Sequence, residues 1–211
     1  AIHPTPADLL TQQLSTACRN REIAAVKIGM VATQTNIRAI IWFLQHTPVP
    51  HIVIDPILHS SSGAPLLESK AVALYRQQLL PLATVITPNL SEASTLAGQQ
   101  VSRLDTMRSA AEAIHHEVSH FRTAKERPLA VIVKGGHLTG DATDILYDGA
   151  TFSIFSAQRI PGKSPRGTGC RFSSAIAAYL AQGHDLRESV KRAKEYLGKY
   201  ITDRRGQSSG E

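Results

Sequence analysis

The sequence predicts an α/β fold in which a mostly parallel sheet is covered by helices, and three observations carry that prediction. Short apolar runs alternate with longer stretches of helical periodicity, the pattern of parallel strands joined by helical crossovers. The runs are nearly continuous in Val, Ile, Leu and Ala, as strands buried on both faces require, and each ends in polar, Gly or Pro punctuation. Hydrophobic residues make up 42% of the 211 residues and charged residues 19%, enough apolar material for a sizeable core. Disordered, collagen-like and low-complexity classes are thereby excluded.

In chain order, a helix is predicted over Pro6 to Cys18 and a strand over Ala25 to Ile28. A helix over Asn36 to His46 leads to a strand over His51 to Ile54, and a helix over Pro65 to Leu79 leads to a strand over Thr84 to Ile86. The helix over Thr106 to Phe121 carries Ala110, Ala111, Ile114 and Val118 on one face and precedes a strand over Leu129 to Val133. The apolar helix faces are expected to pack on the sheet. The pattern then changes: Asp144 to Tyr147, Asp148-Gly149 and Thr151 to Phe155 read as an antiparallel hairpin around a tight turn. Two helices close the chain, Gly169 to Gln182, ended by Gly183, and Leu186 to about Ile201, before a polar Gly/Ser tail. No internal repeat or interdomain linker is visible, so residues 1–211 read as one domain.

Composition narrows the functional classes. Cys18 and Cys170 are the two cysteines, too few for a disulfide scaffold or a four-thiolate zinc site, and a reducing, cytoplasmic setting is the simple reading. The longest apolar stretches, such as Ala175 to Ala181, fall far short of a membrane-spanning helix. The formal net charge of +6 raises the question of nucleic acid, but the main basic cluster, Lys191, Arg192, Lys194, Lys199, Arg204 and Arg205, is interleaved with Glu188, Glu195 and Asp203. That reads as a solvated helix face, and no nucleic-acid partner is expected. His116-Glu117-Val118-Ser119-His120 satisfies the zinc-protease pattern in form, yet His116 and His120 lie opposite the Ile114 and Val118 face and should meet solvent. The following Arg122 to Arg127 reads as an exposed loop.

In open parallel sheets ligands bind outside the carboxyl ends of the strands. Here those ends carry Gly29-Met30, Asp55-Pro56, Thr87-Pro88-Asn89 with Glu92, and Lys134-Gly135-Gly136-His137. The strongest local signal is Arg166-Gly167-Thr168-Gly169-Cys170 at the start of an apolar-periodic helix, which has the makings of an anion hole. Cys170 at that helix start is expected to have a lowered pKa, because the helix dipole favours a thiolate. Asn89-Leu90-Ser91-Glu92 has the spacing of a capping box. The same Asn89 and Glu92, with Asp55, would also suit a hydrated magnesium ion. Lys134 ends an apolar strand, from which its ammonium can reach an anion across the rim.

Taken together, Val26-Lys27-Ile28-Gly29-Met30, Val53-Ile54-Asp55-Pro56, Ile86-Thr87-Pro88-Asn89 with Glu92, Val133-Lys134-Gly135-Gly136-His137 and Gly167-Thr168-Gly169-Cys170 resemble the hydroxymethylpyrimidine and phosphomethylpyrimidine kinases of thiamine biosynthesis. These form a branch of the ribokinase-like fold, a three-layer sandwich with a mostly parallel central sheet flanked by helices. The resemblance runs from about Ile2 to Ile201. It implies ATP-dependent phosphorylation of hydroxymethylpyrimidine, of its monophosphate, or of both. By motif it implies Cys170 as the base, with Gly167, Thr168 and Gly169 as the anion hole. Lys134 is then set against nucleotide charge, Asp55, Asn89 and Glu92 around Mg2+, and Gly29, Met30 and Ile57 at the pyrimidine. Gly136, Thr139 and Arg166 are implied near the nucleotide, and a homodimer is expected. Two departures accompany the resemblance. The family's N-terminal glycine-rich segment, its small β lid and its first central strand have no counterpart before Ala1, so the chain is expected to be part of a longer protein, the other reading being a degenerate, inactive member. Ser164-Pro165-Arg166 stands where many members carry a Thr-His pair. Pyridoxal or pyridoxine kinase is the nearest alternative. A non-catalytic ligand-binding member of the fold is another, and an RNA-binding module the most remote.

Overall fold

A computed structural model describes residues 3–60, 63–123, 127–136, 138–162 and 165–208, with the side chains of the last four of these left aside. Ile2, His137 and Ser164 of the motifs above lie outside the described residues. Six strands form one sheet in sequential order: β1 (Ala25–Ile28), β2 (His51–Ile54), β3 (Val85–Ile86), β4 (Ala130–Gly135), β5 (Ala142–Tyr147) and β6 (Phe152–Ala157). β1 to β4 pair in parallel, and β5 and β6 add on antiparallel, as the hairpin pattern predicts.

The helices are α1 (Ala7–Cys18), α2 (Gln34–His46), α3 (Val72–Leu74), α4 (Leu90–Ala97), α5 (Leu104–His120), α6 (Thr168–Ala181) and α7 (Leu186–Ser208). Two apolar cores flank the sheet. The larger takes Ile52, Ile54, Ile86, Val131 and Val133 from one sheet face and packs them against Ile37 and Ile41 of α2, Leu96 of α4 and Ile114 of α5. The smaller takes Val53, Val85, Ala130 and Ile132 from the other face and packs them against Phe172 and Ile176 of α6 and Val190 and Ala193 of α7. Alternate strand residues thus feed opposite layers, the period-two rule that makes both-face burial read as a continuous apolar run. This is the expected three-layer α/β sandwich.

Three expectations need correction. α1 packs against α2 rather than on the sheet, and none of its residues is buried. Its apolar residues are too sparse for a full core-facing stripe, and Leu14 and Cys18 alone pack against the larger core. The single helix predicted over Pro65 to Leu79 is a broken run: a 3-10 turn at Ser69–Ala71, the α turn α3, a π turn at Tyr75–Leu79 and a 3-10 turn at Leu80–Leu82. Pro81 can donate no amide hydrogen to a regular helix, and the register changes let Leu79 and Leu80 both reach the core. Arg122 is buried rather than part of an exposed loop, donating to the carbonyls of Ala83 at 2.7 Å and Arg127 at 2.8 Å. A guanidinium can tie several loop carbonyls at once, which makes its burial tolerable.

Candidate active site

The parallel ladder continues one step past the strands, and that step builds the rim. The Asp55 amide donates to Ile28 O at 2.9 Å, the Thr87 amide to Ile54 O at 2.9 Å and the Lys134 amide to Pro88 O at 2.8 Å. Asp55, Thr87 and Lys134 are therefore held by backbone in a row along the carboxyl edge of the sheet. The amino end of α6 comes down over this row. Ser173 of α6 is fully buried and hydrogen-bonds Thr87 side chain to side chain at 2.8 Å. Gly167 caps α6 in the left-handed region at φ 80°, where a side chain would be strained, so the motif's first glycine is needed for backbone shape.

Lys134 Nζ donates to Asp55 Oδ1 at 2.6 Å, and both residues are buried. The other oxygen, Asp55 Oδ2, is buried with no hydrogen-bond donor among the described residues; Lys27 Nζ stands 3.6 Å from it. Burial pushes the Asp55 carboxyl up, but Lys134 and then Lys27 outweigh it and hold the group below its ordinary value. Asp55 is thus an ionised carboxylate, bonded by Lys134 at Oδ1 and further stabilised by the Cys170 thiol. Gly169 leaves room above Lys134: a Cβ there would stand 3.2 Å from Nζ.

Asn89 and Glu92 form the capping box of α4. The Glu92 amide donates to Asn89 Oδ1 at 2.9 Å, and the Asn89 amide donates to Glu92 Oε2 at 2.7 Å. Burial raises the Glu92 carboxyl to about 7 against the pull of Lys134. Asn89 has spent its side-chain oxygen on the cap, so its contribution is to aim Glu92. Among the described residues no group of three or more His, Cys, Asp or Glu side chains gathers to ligate a metal directly, so Asp55 and Glu92 would reach a divalent cation only through its waters.

One electrostatic expectation is reversed. The Cys170 thiol is pushed above the ordinary thiol value rather than below it, by burial first, by the Asp55 charge second and also by its hydrogen bond to Asp55; Lys27 and Lys134 pull the other way and lose. The helix dipole is a fractional charge, whereas Asp55 carries a whole one, and the sequence does not reveal that the two residues meet.

Asp55, Ile57, Asn89, Glu92, Lys134 and the Gly167-to-Cys170 turn line one open cavity of about 790 Å³. Gly136 lies instead at a smaller cavity of about 160 Å³, bounded by Arg159 and α7, to which Thr168 also contributes. Arg159 gathers the carbonyls of Gly136, Leu138 and Gly140, which shapes the turn after β4. Gly29 is half-buried behind Lys27, while Met30 is 48% exposed and outside the lining of the main cavity; Thr139 and Arg166 are exposed. The zinc-protease pattern is not a metal site: His116 and His120 are exposed and Glu117 accepts from the Arg76 guanidinium at 2.9 and 2.5 Å. The sequence motifs include Lys27 and Thr87 without assigning either a role, and sequence reasoning missed Ser173. Lys27 had a signal, a lone cation inside an apolar strand, the same one that singled out Lys134.

The phosphomethylpyrimidine kinase family model matches residues 1–210. The hydroxymethylpyrimidine/phosphomethylpyrimidine kinase of Aquifex aeolicus is 36% identical over 201 residues, which cover 95% of this chain and 75% of that protein. The thiamine biosynthesis bifunctional protein ThiED of Geobacter sulfurreducens is 40% identical over 197 residues, and the chain spans only 38% of its length. Among solved structures, the ADP complex of Bacillus subtilis pyridoxal kinase superposes with a TM-score of 0.78 at 33% identity, covering 92% of this chain and 70% of that one.

Proposed function

The chain belongs to the phosphomethylpyrimidine kinase family, and on that premise we propose that it transfers the γ-phosphoryl group of ATP to hydroxymethylpyrimidine and to its monophosphate in thiamine biosynthesis. The observation that carries this reading is the convergence of Lys134, ionised Asp55 and Cys170 under the amino end of α6, around a single cavity. Phosphoryl transfer asks a protein mainly for positioning and for charge where the transferring group passes. The amides from Gly167 to Cys170 and the Lys134 ammonium supply that charge. Asp55 keeps Lys134 at the rim, and Ile57 gives the cavity an apolar wall for a pyrimidine. Asp55 and Glu92 would hold Mg2+ through its waters, and the ion would supply further charge neutralisation on the phosphates.

Cys170 takes the proton from the acceptor hydroxyl. Since its thiol is pushed up, it is protonated in the ligand-free protein at neutral pH and acts as a base only in the fraction that ionises. Transfer to the hydroxymethyl group should therefore rise with pH into the alkaline range. Assaying the purified chain with magnesium-ATP against hydroxymethylpyrimidine, its monophosphate and pyridoxal tests the reading. The pyrimidines are expected to be phosphorylated in preference to pyridoxal, with Cys170→Ala lowering the first transfer roughly a hundredfold or more and flattening its pH profile. Pyridoxal as the sole acceptor would shift the assignment to the kinase of the structural relative. No transfer at all would leave a ligand-binding member of the fold.

A further inference from the structure

We propose that Lys27 is the specificity residue for the second transfer, its ammonium receiving the phosphate of the acceptor monophosphate. This rests on the kinase reading above and assigns a residue to one of its two steps.

The argument begins with charge. Along the rim Lys27 and Lys134 flank a single carboxylate, Asp55. Lys134 hydrogen-bonds Oδ1 at 2.6 Å, which commits one of its three donors. Lys27 commits none to Asp55: its Nζ lies 3.6 Å from Oδ2, beyond hydrogen-bond reach, and its side chain remains 19% exposed. Oδ2 itself is buried without a donor. A half-buried lysine and a buried carboxylate oxygen that face each other without bonding leave donor capacity on the lysine unused, a state that ordinary packing does not favour. Nζ also folds back over Gly29, where a Cβ would stand 2.8 Å away and the flexible end of Lys27 would have to shift. Lys27 does not itself line the cavity, but the carboxylate it faces, Asp55, and the thiol its charge acts on, Cys170, both do.

The two transfers make different demands. The hydroxymethyl group is neutral and must lose a proton, so its transfer needs a base. The monophosphate is already largely ionised near neutral pH. One of its oxygens attacks the γ-phosphorus, a P–O–P bond forms, the bond to the β-phosphate oxygen breaks, and ADP leaves without any proton being removed. That step needs positive charge to bring two anions together, and Lys27 is the rim cation that commits no donor to Asp55.

Lys27→Met keeps the length of the side chain and removes the charge. Within this one variant, transfer to hydroxymethylpyrimidine should fall by only a few-fold, whereas transfer to the monophosphate should fall roughly tenfold to a hundredfold, chiefly through KM, the loss expected for one charge-assisted hydrogen bond. The ratio does not depend on how much of the variant folds. Lys27→Arg should restore the second transfer in large part. Equal losses with both acceptors would overturn the proposal and leave Lys27 as a counter-charge to Asp55. If the unaltered chain phosphorylates neither acceptor, the kinase reading fails. Calorimetric binding of the monophosphate, compared with hydroxymethylpyrimidine in the presence of ADP, then decides for Lys27: selective weakening of the monophosphate in Lys27→Met supports it, and equal affinities overturn it.

Discussion

Two lysine–aspartate pairs, buried Asp55 with buried Lys134 and buried Asp144 with half-buried Lys194, each close at 2.6 Å, yet they serve opposite ends. Asp144 on β5 has both oxygens engaged: Oδ1 accepts from the Gly135 amide at 3.0 Å, Oδ2 from Lys194 of α7. It braces the last helix to the sheet, and nothing on it is left over. Asp55 has the same partner type and the same distance, but its second oxygen is unbonded, a second lysine stands beyond bonding range and a large cavity opens beside it. A satisfied pair spends its charge on rigidity. An unsatisfied one keeps valence for a ligand, at the expense of stability.

Breaking each pair should therefore register in a different assay. Lys134→Met removes a cation from the path of the transferring phosphoryl group and should lower kcat/KM roughly a hundredfold to a thousandfold, the scale for losing one preorganised electrostatic contact. Stability should suffer less, because Lys27 still neutralises Asp55. Asp144→Asn leaves half-buried Lys194 without its counter-charge, and urea unfolding should show a loss of about 3 kcal/mol or more. Its residual activity per folded molecule should exceed that of Lys134→Met by at least about tenfold. If Lys134→Met lost only stability, or Asp144→Asn lost mainly turnover, the distinction between brace and site would collapse.

The same contrast explains what the sequence made legible. The α/β class, the antiparallel hairpin and the carboxyl-edge placement of Asp55, Glu92 and Lys134 follow from local patterns: apolar runs, turn residues and polar groups at strand ends. The Gly pair after Lys134 reads the same way, yet its first member proves to be a packing requirement. A Cβ on Gly135 would stand 2.0 Å from the Thr143 carbonyl of β5, so that glycine admits a neighbouring strand rather than a phosphate. What stayed hidden depends on which distant residues meet. Cys170 was assigned a lowered pKa from its own helix start, and the Asp55 charge brought from β2 reverses the sign. Lys27 received no role because its strand reads as a buried run, and only the juxtaposition with Asp55 Oδ2 shows an ammonium with donors to spare.

Glu92 sharpens the comparison with the smallest of these effects, because its unsatisfied state is a matter of protons. Burial, working against Lys134 and the Asn89 amide, holds its carboxyl at about 7 against an ordinary 4.5. Between those two values the folded state binds more protons than the unfolded one, so stability is fully present at low pH and declines as pH rises through about 7. At the scale of that shift the decline is at most about 3 kcal/mol, and less where relaxation admits water to the carboxylate. Glu92→Gln keeps an oxygen for the capping bond and cannot ionise, so its stability should be nearly level over the same interval, as read by urea unfolding at about pH 5 and about pH 8. Magnesium should restore stability to the unaltered chain at the higher pH and do little for the variant, since a cation gains only where a proton has left. A slope that persisted in Glu92→Gln would place the titrating group elsewhere. If magnesium helped both proteins equally, Glu92 would be a capping residue alone, as satisfied as Asp144.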